Sequence, residues 1–90
     1  MILCIDGPLT FETIAFWQKK LVACLDAIDQ DVLTLDFQGV TAVNSAALAL
    51  ILDARRRSRV RDVSLRFLNI PEQLVSLAKV SSLDKFLVLM

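Results

Sequence analysis

The stretch from Val32 to Leu52 limits what this chain can fold into more than any other part of it. Val32 to Phe37 is a short apolar run rich in β-formers, and Gly39 follows as a turn residue, which predicts a buried strand and then a tight loop. Ala46 to Leu52 is apolar throughout, too long a run for a loop, and predicts a helix launched from Asn44 and Ser45. Both are good N-cap residues, since a side-chain oxygen can accept from the free amides of the first helical turn. A hydroxyl at that point lies at the mouth of a helix whose partial positive end favours added negative charge.

Ninety residues support one core, so residues 1–90 are read as a single domain. An apolar share of 56% is high for so short a chain, which predicts that a partner covers some of that surface. The run from Ala46 stops at Asp53, short of the roughly 20 apolar residues that a membrane crossing needs. Met1 to Asp6 has no basic segment and meets a carboxylate at once; the expectation is a cytoplasmic chain without a signal peptide.

Taken in order, Ile2 to Asp6 predicts a strand closed by the turn pair Gly7-Pro8. Thr10 offers an N-cap for a helix reaching Ile28, with Ile14, Trp17, Leu21, Leu25 and Ile28 as its apolar stripe. Trp17 falls on that stripe and is read as core. Val63, Leu65 and Phe67 alternate with Ser64 and Arg66, the pattern of a strand with one buried face. Asn69 can cap and Pro71 suits the first turn of a third helix carrying Leu74, Leu77 and Ala78. The tail from Leu83 reads equally as strand or helix. Strands alternating with helices predict an α/β fold: a small, mostly parallel sheet with helices mainly on one face.

The halves of the chain differ in charge. Residues 1–45 hold six carboxylates against two lysines, and residues 46–90 hold eight basic side chains against four acidic ones. The excess comes mainly from Arg55, Arg56, Arg57, Arg59 and Arg61, read either as a solvated helix end suited to the C-terminal dipole or as a basic patch facing lipid headgroups or an acidic partner. No aromatic residue interleaves with these arginines, so nucleic acid is not expected. Cys4 and Cys24 lack metal-ligand spacing and are expected as buried, reduced thiols. The chain has no histidine, and its glycines are only Gly7 and Gly39. Histidine-based acid and base chemistry and a glycine-rich phosphate loop are therefore excluded. Ser45 has no nearby lysine to serve as a base, and no metal, cofactor or catalytic residue is expected.

The run Leu35-Asp36-Phe37-Gln38-Gly39-Val40-Thr41-Ala42-Val43-Asn44-Ser45-Ala46-Ala47-Leu48 resembles the signature of STAS domains, the fold shared by anti-sigma-factor antagonists and the cytosolic tails of sulfate transporters. Gly7 to Thr10 is similar to that family's turn into its first helix, and Leu68 to Leu74 to its entry into the third. The chain begins at what looks like the family's second strand, which would leave a sheet edge open. Leu77 to Leu83 and the helix from Ala47 to Leu52 most resemble the small STAS subunit of the bacterial Mla-type phospholipid ABC transporter.

That resemblance implies a non-catalytic cytoplasmic subunit that binds the transporter's ATPase, meeting the membrane only indirectly through the complex. Thr41, Asn44, Ser45, Ala46, Ala47 and Leu48 are the expected partner-binding residues. The similarity to anti-sigma-factor antagonists implies the alternative, a kinase partner and phosphorylation at Ser45. Asn44 stands where phosphorylated members carry aspartate, and Ala46-Ala47 where they usually carry serine or glycine.

Overall fold

Strand burial follows a period of two, and it separates the two faces of the sheet. The computed structural model describes residues 1–80. Within them the chain forms β1 (Ile2–Leu9), α1 (Ile14–Ala27), β2 (Val32–Val43), α2 (Ser45–Val60), β3 (Ser64–Leu68) and α3 (Glu72–Val80). The three strands are parallel in the order β1-β2-β3, with β2 between its neighbours. Ile5, Leu9, Leu33, Leu35, Phe37, Leu65 and Phe67 are buried against the helices. On the opposite face Ile2, Cys4, Ser64 and Arg66 are exposed, so among the described residues the helices cover one side. The α/β architecture expected from the sequence is the one observed.

The expected stripe on α1 is also present: Trp17, Leu21 and Leu25 are buried, and Ile14 and Ile28 pack at the margin of the core. α2 packs against α1, α3 and β3 and buries Ala47, Leu50, Ile51 and Ala54. Its end is a left-handed turn in which Asp62 has φ 55°, with the Val63 amide donating to the Ser58 carbonyl at 2.9 Å. Phe37 and Phe67 meet at the centre of the sheet with ring centroids 6.0 Å apart.

Several local expectations are corrected. β1 does not stop at Asp6 but runs through Gly7 and Pro8 to Leu9, because an edge strand tolerates a proline and because Gly7 takes φ 70° at an irregularity in the pairing. β2 continues through Gly39 to Val43 rather than turning after Phe37. Gly39 is there because β1 passes close: a Cβ at that position would stand 2.8 Å from Cβ of Asp6. α1 starts at Ile14, with Thr13 rather than Thr10 before it. The Thr13 hydroxyl donates to the Pro8 carbonyl at 2.8 Å and accepts from the Thr10 amide at 3.0 Å, which ties the turn to β1 instead of capping the helix.

Asn69 does not cap α3. It takes φ 56°, and its Nδ2 donates to Oδ1 of Asp36 at 2.9 Å, fastening the end of β3 to β2. Pro71 immediately precedes α3, its carbonyl accepting from the amides of Leu74 and Val75. Cys4 is exposed on the uncovered face and Cys24 is half-buried, so neither is the fully buried thiol expected. The tail from Leu83 lies outside the described residues.

Candidate functional site

The carboxyl end of β2 and the first turns of α2 bring together the residues singled out in the sequence. Between Cys4 and Leu9 of β1, the register with β2 slips twice, and on the second slip Gly7 pairs with Val40 while Pro8 pairs with Ala42. Thr41 is the residue left over. A bulge re-aims the side chain at the extra position, and Thr41 is exposed. Asp36 stands further back on the same strand. Its hydrogen bonds from Asn69 and from the Gln38 amide, 3.0 Å away, hold its carboxyl below the ordinary aspartate range.

Three residues after Thr41, Asn44 is the N-cap of α2. Its extended backbone (φ −137°, ψ −168°) breaks from the helix, and its Oδ1 accepts from the Ala46 amide at 2.9 Å. Ser45 is therefore the first helical residue and not a cap, which corrects half of the expectation. Its side chain is exposed, and its hydroxyl has no hydrogen-bond partner among the described residues. Asn44→Ala is expected to cost about 1 kcal/mol, the usual loss for a removed cap. Urea unfolding monitored by Trp17 fluorescence checks this, and an unchanged midpoint would show that the bond carries no stability.

The expected contact set is trimmed by burial. Ala47 and Leu48 belong to the hydrophobic core, and Ala46, though 1% exposed, borders the groove beside Ala49. Ala47 and Leu48 can act on a partner only by supporting the residues that face outward. Those are Thr41, Ser45 and, one turn beyond, Ala49, which is exposed. Beside them lies a shallow groove of about 300 Å³ bordered by Phe11, Gln18, Ala49 and Asp53. Phe11 is 68% exposed there. The sequence reading missed Phe11, Ala49 and Asp53. An alanine inside an apolar run carries no sign of which way it faces, whereas Ala49 lies four residues after Ser45 and so shares its helix face.

Asp53 closes the far side of this groove. Partial burial would raise its pKa, but donors from Arg57 at 2.8 Å, Gln18 at 3.2 Å and Arg56 at 2.6 Å outweigh that and lower it overall. A carboxylate with a folded-state pKa below its unfolded one contributes stability that is complete above the unfolded value and lost as pH falls through the folded value. The window thus lies below about pH 4. Asp53→Asn is expected to make stability fall less steeply with acid in that window than in the wild type. Urea midpoints measured across it test this, and parallel curves would remove Asp53 from the account.

Three parallel strands with helices on one face, and an exposed hydroxyl at the entrance of the second helix, define a fold class known from comparison with other proteins. The model of the STAS domain family matches residues 1–89, and the chain belongs to that family. None of the curated proteins compared with the chain matches it.

Among solved structures, the chain is similar to the unphosphorylated anti-sigma factor antagonist SpoIIAA, with a TM-score of 0.75 and 14% identity over 93% of this chain and 73% of that one. The phosphorylated form of SpoIIAA, described as a Bacillus cell fate determinant, gives 0.70 and 14% over 93% and 76%. A sulfate transporter family protein from Wolinella succinogenes gives 0.72 and 18% over 96% and 69%. At these identities the likeness is one of fold. Among the described residues no helix is long and apolar enough to cross a membrane.

Proposed function

We propose that this chain is a non-catalytic protein-docking subunit whose contact face is formed by Thr41, Ser45 and Ala49, and that its partner is the ATPase of a phospholipid-type ABC transporter. The observation that carries the reading is the division of labour at the helix entrance. Asn44 satisfies the backbone, and Ser45 is left with an exposed, unpartnered hydroxyl. Small neighbours let another protein's backbone come close, and the hydroxyl can both donate and accept across the contact. The resemblance to the small STAS subunit of Mla-type transporters, together with asparagine in place of aspartate at position 44, favours the ATPase.

The second reading is an anti-sigma-factor antagonist switched by phosphorylation of Ser45. What favours it is the accessibility of that hydroxyl beside the amides of a helix start, where a phosphate of −1.5 to −2 charge is well tolerated. Affinity purification of the tagged chain from its native cell, with the captured proteins identified by mass spectrometry, separates the readings. Recovery of an ABC ATPase with Ser45 unmodified supports the first. Recovery of a sigma-regulatory kinase that adds a phosphate to Ser45 overturns it in favour of the second, and recovery of neither removes both.

A further inference from the structure

Burial along α2 leaves six residues exposed, five of them in a line that Val60 adjoins at its far end. Ser45, Ala49, Leu52, Arg56 and Arg59 are exposed at spacings of four, three, four and three, which places them on a single face of the helix. The line is about 21 Å long at 1.5 Å per residue. Its chemistry changes along its length. It begins with a hydroxyl and a methyl, passes an isobutyl group at Leu52 that is 43% exposed, and ends in two guanidinium groups. Arg56 has one bond to Asp53 and keeps a side chain that is 74% exposed, and Arg59 has no ion-pair partner among the described residues.

We propose that the whole line is one docking stripe, and that its occupant is a protein segment carrying an apolar side chain over Ala49 and Leu52 and carboxylates opposite Arg56 and Arg59. This rests on the reading that Ser45 docks a partner, and it specifies what the partner must present. Charge complementarity is the argument. The basic end of α2 and its C-cap hold Arg55, Arg56, Arg57, Arg59 and Arg61 against three adjoining carboxylates: Asp26, engaged with Arg61; Asp53, engaged with Arg56 and Arg57; and Asp62, beside the C-cap. Surplus positive charge is left at the outer edge, and a planar guanidinium suits a carboxylate by forming two parallel bonds. A bilayer is the poorer fit, because a surface helix needs a broad apolar face, and the exposed large apolar side chains of α2 are Leu52 and Val60, eight residues apart.

The test uses the full chain and, as probe, the purified ATPase or kinase that co-purifies with it, with affinity measured at low and high salt. Arg59→Glu is expected to weaken binding at least about tenfold at low salt, since like charges facing each other across an interface oppose docking. Arg56→Gln is expected to weaken it less, and the wild-type affinity to fall as salt rises. Arg66→Glu, the same charge change on the uncovered face of the sheet, should leave affinity unchanged.

If Arg59→Glu binds like Arg66→Glu while Ser45→Glu fails to bind, the acidic-segment proposal is overturned and the Ser45 docking face survives. If Ser45→Glu also binds normally, both fall. If Arg59→Glu loses binding to vesicles of phosphatidylglycerol and phosphatidylcholine but not to the protein, the basic end serves lipid and the proposal is overturned.

Discussion

Ser45→Glu is expected to abolish partner binding, with at least about a hundredfold loss of affinity, while leaving the fold intact. The loss follows from placing a buried, unpaired charge and a longer side chain where close approach is required; such misplacement costs several kcal/mol. Stability is spared because position 45 is exposed and because the first turn of a helix favours a carboxylate. Ser45→Ala removes only a hydrogen bond across the contact, about 1 kcal/mol, and is expected to weaken binding roughly fivefold. Titration of each variant against the purified partner, beside its thermal melt, provides the check. Wild-type affinity in a folded Ser45→Glu variant would end the docking model.

The second large effect concerns the core. Phe37 is 1% exposed and packs beside Phe67 under the helices. Phe37→Ala is expected to cost about 3–5 kcal/mol, because the transfer energy of the ring is lost and the rigid strands on either side cannot close the cavity. For a fold whose total stability is of order 5–15 kcal/mol, that leaves a large unfolded fraction. Phe16→Ala is the comparison. Phe16 is more than half exposed and meets the Trp17 edge and the Lys20 ammonium, so its loss should cost no more than about 1 kcal/mol. Equal urea midpoints for the two variants would contradict the assignment of Phe37 to the centre of the core.

Period and alternation made the architecture legible. Leu33, Leu35 and Phe37 on one strand and Val63, Leu65 and Phe67 near another carry an in-and-out pattern that survives in the structure, as does the Trp17 stripe. What was not legible depended on partners distant in sequence. Gly39 reads locally as a turn, but its role is to let Asp6 of the neighbouring strand come near, and only strand pairing reveals that. Asn69 reads locally as a cap, but its side chain goes to Asp36, thirty-three residues earlier.

At the site, the helix entrance at positions 44 and 45 was legible, but not which of the two would cap the helix. Either side chain can accept from the first-turn amides, and backbone geometry decides between them. Ala46, Ala47 and Leu48 were read as contacts because small residues suit an interface. Small size suits close helix packing equally well; Ala47 and Leu48 lie in the core, while Ala46 borders the groove.

The capping bond from Asn44 has a consequence for how such a surface can diversify. Because the neighbour secures the peptide groups, the side chain at position 45 is under no obligation to the scaffold. A threonine, a cysteine or an acylated serine could be tried there with the architecture unperturbed, so new specificities are reachable in single steps that never pass through an unstable intermediate.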